Sequence, residues 1–525
     1  MTVSPAMAVA RWSQHCRGRG SRHHPQAGFT ALLAAAAWLG GCQAQAALTH
    51  WPVPAPPAVT AAAPVLWVAL ADHLGPRDAA AAAAPLVLQA ARGSLQLLDA
   101  RGQSVSGTSL RLRWRFEPLQ PAVAMQRTVL GPFASYEAAE AAADLWRRQG
   151  VTPDIAHPQD WEVWGPAQAA IPAGLSGRRV QSLERRRLTL AVEGPRGLVP
   201  LQGPLRVQAP GGLRWQGAVY AGPFRLQANA YGGWSLVELV PLERYLQGVV
   251  PHEIGAGAPV AALAAQAVLA RTWALRNQGR FRIDGYHLCA DTQCQVYGDP
   301  RAAGPAVKAA IAATRGQVLS WLQEPIHAVY HASNGGVAAG FEEAWGGSPL
   351  PYLRPAVDGP AGFAAAYPLP LAGSSLAELL RRADGGYGAD HPLDRWQRLL
   401  DRAQLERSLG AAASRLGPLQ RVQVLQRGQS GRVLALALRG RDGEVVLRRD
   451  AIRRTLRALP STLFTVSAAG PGVWRFSGGG FGHGAGLSQA GAMDLARRGW
   501  GLQRILSHYY PGTTLTPLNG LKSAP

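Results

Sequence analysis

Two neighbouring segments of the chain have different periodicities, and this change constrains the fold more than any other feature. Residues 175–250 alternate apolar and polar positions between frequent Gly and Pro, as in Leu188-Thr189-Leu190-Ala191-Val192, which predicts short strands. Residues 258–278 carry apolar or small side chains at helical spacing after Pro259, which predicts a helix. The chain shows no doubly wound alternation and no repeats, so an α+β fold is expected.

The later segments continue this mixture of helices and strands. A helix is predicted at 305–314, and strand-like patterning follows at 318–330. A second mixed region spans 365–475, with a strand pair at 421–426 and 433–438. The last segment, 476–517, combines a Gly-rich loop, a helix near 488–498 and a closing Pro511-Gly512 turn.

The first fifty residues predict export. Four arginines between residues 11 and 22 precede an apolar run at 29–39, which is shorter than the roughly 20 residues of a membrane span and fits a signal peptide. Ala44-Gln45-Ala46 is a site for ordinary cleavage, whereas Leu39-Gly40-Gly41-Cys42 resembles a lipobox that would leave Cys42 lipidated. Both endings predict a protein of the periplasm or cell envelope, whose only membrane contact is the signal or the lipid.

The length of 525 residues predicts two or three domains, because it exceeds one ordinary core. After a signal peptide at 1–46 we expect a Pro- and Ala-rich extended linker at 47–64. A small α/β module at 65–170, a larger α+β domain at 175–517 and a tail at 518–525 complete the expected organisation.

The small module has a recognisable order of elements. A strand runs into Gly131-Pro132-Phe133, Ser135 caps a helix that extends to Gln149, and strands follow at 151–155 and 161–164. This order resembles a SPOR domain, a small module that binds glycan strands stripped of peptides. An ordinary α/β module without such a role is the alternative.

The formal net charge of +21 comes almost entirely from arginine, since Lys308 and Lys522 are the only lysines. Such a charge suits any polyanionic surface. The sequence contains no long Lys/Arg run and no recognisable nucleic-acid module, so nucleic acid is not predicted as a partner.

A series of separated motifs extends from residue 242 to residue 513. In chain order they are Leu242-Glu243-Arg244-Tyr245-Leu246, Val250-Pro251-His252-Glu253-Ile254, Ala270-Arg271-Thr272-Trp273, Cys294-Gln295-Val296-Tyr297-Gly298, Tyr330-His331-Ala332-Ser333-Asn334, Phe481-Gly482-His483-Gly484-Ala485-Gly486-Leu487-Ser488-Gln489 and His508-Tyr509-Tyr510-Pro511-Gly512-Thr513. In this order the motifs resemble the SpoIID/LytB family, the stage II sporulation protein D and amidase-enhancer group. The resemblance covers about 180 to 517.

The resemblance implies a catalytic domain of mixed helices with a β-rich arm, and it leaves two functions open. The sporulation domain D members are lytic transglycosylases, which cleave peptide-free glycan strands of peptidoglycan and leave 1,6-anhydro-muramic acid ends. The LytB members modify a cell-wall amidase without cutting glycan themselves. The expected partners are therefore peptidoglycan glycan strands and, for the second function, a cell-wall amidase.

Glu253 matches the catalytic glutamate of the family. A lytic transglycosylase needs only one carboxyl group, because the 6-hydroxyl of muramic acid replaces water and a single Glu donates one proton and takes one back. Partial burial beside Pro251 would raise the pKa of this carboxyl toward the working pH. A carboxylate that merely favours a helix dipole is the alternative.

Residues 480–489 form a Gly-dense loop that leads into a helix, so the backbone can approach a ligand closely. The loop lacks the Lys-Ser/Thr ending of a phosphate loop. From this loop and the other motifs we expect a cleft with these substrate-binding side chains: Arg271, Tyr297, Ser333, His483, Gln489, His508 and Tyr509.

His287, Cys289 and Cys294 form a third constellation. Together they could bind a structural Zn²⁺ ion, although a closed tetrahedral site needs a fourth ligand and Gln293 stands where a Zn-binding relative can have His. A Cys289–Cys294 disulfide, natural outside the cytoplasm, is the alternative. Both arrangements would brace the loop beside Glu253, and the chemistry itself requires no cofactor.

A second carboxylate would change the mechanism to plain hydrolysis, and Glu342, Glu343 and Asp358 are the residues that could supply it. The sequence has no Gly-x-Ser-x-Gly elbow and no His-Glu-x-x-His helix. Serine hydrolases and zincin proteases are therefore unsupported function classes.

We expect the basic charge to hold the protein on an anionic cell wall. Because dissolved ions screen such attraction, the bound fraction should fall as the salt concentration rises. Co-sedimentation with purified wall material across a NaCl series measures this fraction. Binding that stays constant at high ionic strength would show that charge is not the anchor.

Overall fold

The computed structural model describes residues 47–62, 64–78, 83–382 and 384–522. The predicted signal peptide and Cys42 lie outside the described residues. Within these ranges, no helix has both the length and the apolar character needed to cross a membrane.

The first part of the chain consists of strands with one helix, α1 (Tyr136–Arg148). The strands are β1 (Val65–Leu74), β2 (Leu86–Ala90), β3 (Leu95–Leu98), β4 (Ser104–Gly107), β5 (Ser109–Phe133), β6 (Asp154–Ala156), β7 (Trp161–Gly165), β8 (Gly177–Gly194), β9 (Gly197–Leu201), β10 (Leu205–Gln208), β11 (Leu213–Trp215), β12 (Ala218–Tyr220), β13 (Phe224–Ala228) and β14 (Trp234–Pro241). Ser135 caps α1 as predicted, because its side chain accepts a hydrogen bond from the Ala138 N–H at 3.2 Å.

These strands build two sheets. The first runs in the order β15-β1-β14-β13-β10-β3-β4, where β15 is Leu288–Cys289, and the second in the order β12-β11-β2-β5-β7-β6, with β8 paired along β5. Since β1 pairs with β14 and β5 with β8, residues 65–170 and 175–241 share both sheets. The predicted boundary at 170–175 therefore runs through continuous sheets, because the alternation within a strand does not specify its partner.

The Pro- and Ala-rich segment before β1 lies against this sheet body instead of extending away from it. The Leu48 N–H donates to the Ala124 carbonyl at 2.9 Å, and the Val59 N–H donates to Gln278 Oε1 at 2.9 Å. Residues 47–62 are therefore hydrogen bonded to the rest of the fold, whereas the sequence predicted a free, extended linker.

A helical layer follows the sheets. Its elements are α2 (Leu242–Val250), α3 (Val260–Arg276), α4 (Pro305–Ala313), β16 (Gln317–Trp321), β17 (Glu324–Pro325) and β18 (Tyr330–His331). The helices predicted at 258–278 and 305–314 are confirmed by α3 and α4. The prediction of strands up to residue 250 is wrong for 242–250, where Leu242, Tyr245 and Val249 have helical spacing and are buried in α2.

Helix α3 is buried along its whole interior, from Ala262 to Leu275. A helix that is buried on every side must be covered by other elements all round. Helices α2 and α4 and strand β16 contact it, as do two helices from the C-terminal end of the chain. The core therefore joins sequence-distant segments around α3.

The β-rich arm expected from the family resemblance lies between residues 337 and 479. Its elements are β19 (Val337–Ala338), α5 (Phe341–Ala344), β20 (Ala356–Val357), α6 (Ala361–Ala366), α7 (Gly373–Arg381), β21 (Arg395–Asp401), α8 (Arg402–Leu409), β22 (Leu419–Arg427), β23 (Val433–Gly440), β24 (Glu444–Arg448), α9 (Asp450–Thr455), β25 (Phe464–Gly470) and β26 (Val473–Gly479). The predicted strand pair is confirmed by β22 and β23. The arm has a hydrophobic core of its own, around Trp396, Phe464 and Phe476.

The chain closes with β27 (Leu487–Ser488), α10 (Gln489–Arg497), α11 (Leu502–Tyr509) and β28 (Thr514–Pro517). Strand β27 pairs with β18 and β28 pairs with β16, so the C-terminal segment returns to the helical layer. The predicted helix near 488–498 is confirmed by α10, and the α+β class is that of the whole described chain.

Candidate active site

Glu253 lies at a break between two helices. Pro251 has no N–H to continue the hydrogen bonding of α2, and the chain passes through a π-helical turn, Pro251–Gly255, before Pro259 precedes α3. Gly255 leaves this turn with a φ of 87°, a conformation that glycine adopts without strain. Single π-turns of this kind are frequent at functional sites.

The Glu253 carboxyl is held by groups from two other segments. Its Oε1 accepts a hydrogen bond from the Val296 N–H at 2.7 Å, and the Tyr330 hydroxyl also hydrogen bonds with the carboxyl. Burial raises the pKa of Glu253 above its ordinary value of 4.5, and the two hydrogen bonds oppose part of that rise. Glu253 therefore retains its proton to a higher pH than an exposed glutamic acid.

A hydrogen-bond network through Gln295 positions the Tyr330 side chain. The Tyr330 hydroxyl donates to Gln295 Oε1 at 2.8 Å, while Gln295 Nε2 donates to the Tyr245 hydroxyl at 3.2 Å and to the Ala270 carbonyl at 3.3 Å. Gln295 is 1% exposed, so this network excludes water. The sequence analysis missed Gln295 and Tyr330 as site residues, although both lie in the motifs that it used, next to the residues it chose.

Glu253 lines a cleft with a volume of about 610 Å³. Three parts of the chain form its walls. The helical layer contributes Glu253, 292–296, Tyr330 and His483, the start of α1 contributes 134–137, and the arm contributes Asp450, Arg453, Arg454 and Arg457.

Polar contacts connect these three walls. The Ser135 hydroxyl donates to the Asp450 carboxylate at 2.5 Å, and Arg280 pairs with Glu137 at 2.5 Å. Trp161 of β7 donates from its ring nitrogen to Gln293 Oε1 at 2.8 Å. The cleft is thus held together by side chains that lie more than 100 residues apart.

Two further carboxyl groups lie in the cleft, and their pKa values are shifted in opposite directions. Burial acts to raise the pKa of Glu137, but Arg280 outweighs it, so the pKa of Glu137 is lowered and the group is ionised. Burial raises the pKa of Asp450 to about 6. Asp450 is therefore, like Glu253, an acid whose pKa is raised by burial, and the sequence analysis did not identify it.

His483 is the predicted substrate-binding residue that does line the cleft. Its Nε2 lies 2.8 Å from the Tyr330 carbonyl oxygen, and its ring packs at 4.7 Å from the ring of Trp345. Burial lowers the pKa of His483 to about 3, so the ring is neutral. Its Nδ1 accepts the Ala485 N–H at 3.2 Å, so both ring nitrogens are engaged and the neutral imidazole beside the indole offers a sugar an apolar face.

Arg271 and Tyr297, which were predicted to bind substrate, are core residues in this structure and do not belong to the cleft lining. Arg271 is fully buried and donates two hydrogen bonds to the Glu243 carboxylate, each of 2.8 Å. The Tyr297 hydroxyl donates to buried Glu238 at 2.8 Å. Arg271 thus pairs with a partly buried carboxylate and Tyr297 with a buried one, so both side chains are engaged within the core.

The remaining predicted residues also lie outside the cleft lining. Ser333 is buried and its hydroxyl donates to Asp394, while Gln489 donates to Gln266 at 3.3 Å. His508 and Tyr509 both contact Asp358, at 2.8 and 3.1 Å. They join α11 to the arm, so their function in this structure is packing and polar pairing.

The suggested second carboxylates are engaged elsewhere as well. Asp358 bonds to His508, Tyr509 and Asn334, and Glu343 accepts hydrogen bonds from the backbone and hydroxyl of Ser430. Neither these two residues nor Glu342 belongs to the cleft lining of the described chain. The sequence positions of these carboxyl groups alone did not indicate their distant hydrogen-bond partners.

Cys289 and Cys294 form a disulfide in this structure. His287 faces away from them, since its Nδ1 accepts the Trp67 N–H at 2.9 Å and its Nε2 lies 3.0 Å from the Pro57 carbonyl oxygen. The three residues therefore do not fit a Zn²⁺ ion, because the sulfurs share a bond and both ring nitrogens serve backbone groups. The disulfide braces the loop that presents Val296 to Glu253.

Comparisons with known proteins divide the chain into two matched segments. Residues 230–321, which include Glu253, match the Stage II sporulation protein family, SpoIID. Residues 339–486, which form the arm and the Gly-rich loop, match a domain of unknown function, DUF8618.

Relatives in two genera align with about half of the chain. Stage II sporulation protein D of Bacillus subtilis (strain 168) is 28% identical over 295 residues, covering 53% of this chain and 76% of the relative. The amidase enhancer of the same strain is 27% identical over 299 residues, 52% of this chain and 40% of the relative. An uncharacterised protein of Brachyspira hyodysenteriae is 26% identical over 293 residues, 54% of this chain and 69% of the relative.

The buried Arg271–Glu243 pair gives a stability prediction. Arg271→Met keeps the apolar stem but removes the charged partner of the partly buried Glu243 carboxylate, so the free energy of unfolding should fall by about 2 kcal/mol. Urea denaturation followed by circular dichroism measures this change. Arg497→Met, at the exposed Arg497–Asp390 pair, is the matched control and should leave stability nearly unchanged. Unaltered stability in Arg271→Met would contradict the structural function of Arg271.

Proposed function

The chain belongs to the SpoIID/LytB family, and from this premise we propose that it is an exported lytic transglycosylase of peptidoglycan with Glu253 as its general acid and base. The substrate is a glycan strand that carries no stem peptides, and the product ends in 1,6-anhydro-muramic acid. The observation that carries the proposal is the raised pKa of Glu253 at the wall of a large cleft.

The proton balance of this reaction needs one carboxyl group. Protonated Glu253 donates its proton to the glycosidic oxygen as the bond to muramic acid C1 breaks. The C6 hydroxyl of the same muramic acid then attacks C1, and its proton returns to the Glu253 carboxylate. Glu253 ends the cycle protonated, so water is not consumed and no cofactor takes part.

The surroundings of Glu253 support both halves of this cycle. Burial favours the protonated acid before bond cleavage. The Val296 N–H stabilises the carboxylate that exists after the proton has left. The Tyr330 hydroxyl does the same when it turns its single proton from Gln295 Oε1 to the carboxylate. Tyr330 is a positioning residue here, because the buried Gln295 network holds its side chain beside Glu253.

The arm wall suits an anionic sugar chain. Arg453, Arg454 and Arg457 line the same cleft as Glu253, and Arg457 is exposed. In a glycan strand without peptides, each muramic acid carries a free lactyl carboxylate, whereas an attached peptide converts this group into a neutral amide. Arginine pairs strongly with carboxylates, which supports a preference for peptide-free strands.

The amidase enhancer relative supports a second candidate, a protein that binds glycan and modifies an amidase without cutting. Such a protein would need the cleft walls but not the proton of Glu253. The two candidates therefore differ in what a change confined to the Glu253 carboxyl does.

Glu253→Gln separates these candidates because the amide keeps the shape of the side chain but cannot exchange the proton. We expect wild-type protein to release anhydro-ended fragments from amidase-stripped glycan strands, and the variant to lose roughly 10²–10⁴-fold of that rate. Mass spectrometry of the fragments measures both the rate and the kind of end.

Two controls sharpen this experiment. Glu324→Gln removes an exposed carboxylate on β17 and should cut at the wild-type rate. Asp450→Asn should still give anhydro ends, whereas reducing ends from wild-type protein would indicate hydrolysis with Asp450 as the second carboxylate. Uncut strands with a folded wild-type protein, together with stimulation of an amidase, would favour the modifier function.

The rate should depend on pH through the Glu253 proton. Because the acid must be protonated, kcat/KM should fall as pH rises through its raised pKa, above the ordinary value of 4.5. In Tyr330→Phe one of the hydrogen bonds that lower this pKa is missing, so the alkaline limb should move to higher pH. A pH series of kcat/KM for both proteins measures the shift, and a limb that moves to lower pH would contradict this assignment.

A further inference from the structure

A second group of chemically active side chains lies on the sheet body. Strand β1 has register irregularities between Ala71 and Leu74, and within them His73 takes a φ of 50°. Few non-glycine residues adopt this left-handed conformation, with Asn, Asp and His the most frequent among them, and it costs of order 1 kcal/mol. The irregularity places Asp72 and His73 beside His157, which follows β6.

The three side chains place their ligand atoms close enough for one ion to draw them together. One ligand atom each of Asp72, His73 and His157 lies within 4.8 Å of the others. His73 Nε2 is 3.5 Å from the Asp72 carboxylate and 3.1 Å from the His157 carbonyl oxygen. The ligand atoms of a tetrahedral Zn²⁺ site, with bonds of about 2.0–2.2 Å, lie roughly 3.3–3.5 Å apart.

One of these imidazoles has an unused nitrogen. His157 Nε2 is buried and has no hydrogen-bond partner among the residues that the structure describes. Buried polar side-chain atoms are nearly always paired, so an unpaired nitrogen next to a histidine and a carboxylate points to a missing partner. A cation would satisfy it without any change of fold.

Both imidazole rings are held in place by neighbouring aromatic rings. The His157 ring packs at 4.5 Å from Trp161, and the His73 ring packs at 4.9 Å from Tyr231. The Tyr231 hydroxyl accepts the backbone N–H of His157 at 2.7 Å, which fixes the chain at this residue, and donates to the Asp284 carboxylate at 2.8 Å. Rigid ligands supported by an outer shell of hydrogen bonds are the usual setting of a metal site.

We propose that Asp72, His73 and His157 bind one Zn²⁺ ion, with water at the fourth position. Two imidazoles and one carboxylate are a ligand set that Zn²⁺ uses with an open coordination site. Ligation through Nε2 uses the His73 tautomer whose proton is on Nδ1, so the contact of Nε2 with the His157 carbonyl oxygen is replaced by the bond to the ion. The site is separate from the Cys289–Cys294 loop and does not depend on the proposed glycan chemistry.

The ion would connect two elements that support the cleft. It would join the end of β1 to the segment that leads into β7, and Trp161 in β7 hydrogen bonds to Gln293 in the cleft wall. We therefore assign it a structural function, and bound Zn²⁺ should raise the melting temperature of the protein.

The test is titration of tag-free, chelator-dialysed protein with Zn²⁺ in a calorimeter, with Co²⁺ absorption as a report on the ligands. We expect one ion per chain in the wild type. His73→Ala and His157→Ala should each weaken binding at least 10-fold and abolish the metal-dependent rise in melting temperature. Circular dichroism without metal checks that both variants are folded.

Two matched variants locate the ion. His50→Ala removes a neighbouring histidine that pairs with Asp154 outside the group, and it should bind Zn²⁺ like the wild type. A Cys289→Ser, Cys294→Ser double variant should also retain the ion. Wild-type protein that binds no Zn²⁺, equal affinity in folded His73→Ala and His157→Ala, or loss of the ion only in the double cysteine variant would each overturn the proposal.

Discussion

Helix α3 has no solvent-facing side between Ala262 and Leu275, and the remaining architecture follows from the need to cover it. Helices α2 and α4 lie on it from neighbouring sequence, whereas α10 and α11 come from more than 200 residues further along the chain. The arm between residues 337 and 479 is therefore an excursion with its own core, after which the chain returns to complete the helical layer.

The packing of these distant segments also raises the pKa of Glu253. The turn that carries Glu253 directly precedes α3, and the carboxyl meets Val296 from the disulfide-braced loop and Tyr330 from β18. A glutamate on an isolated turn would have an ordinary pKa, because the shift arises from desolvation by these other segments. The catalytic character that we propose is therefore a property of the assembled layer.

The walls of the cleft come from three different segments of the chain. The segment that matches SpoIID supplies Glu253, while the segment that matches DUF8618 supplies Asp450 and the arginines of α9 and its following loop. The sheet body supplies Ser135 and Glu137, and neither family match includes these two residues. Under the function that we propose, differences in the last two walls can change which glycan is bound without altering the acid.

The amino-acid sequence by itself determined the local elements. Helices α1, α3, α4 and α10 and the β22–β23 pair follow from periodicity and capping within a few neighbouring residues, and Glu253 was found from its motif. The helix at 242–250 was misassigned because its few turns follow a strand-rich run without a polar cap.

Only the tertiary structure decided which polar side chains face a ligand and which face each other. Arg271 meets Glu243 at a separation of 28 residues, His508 meets Asp358 at 150, and Ser135 meets Asp450 at 315. Cys289 and Cys294 form a disulfide and not part of a Zn²⁺ site. His287 is unavailable as a ligand, because backbone groups of residues 57 and 67 bind both of its ring nitrogens. Periodicity reports the face on which a residue lies, whereas a hydrogen bond depends on where a distant segment packs.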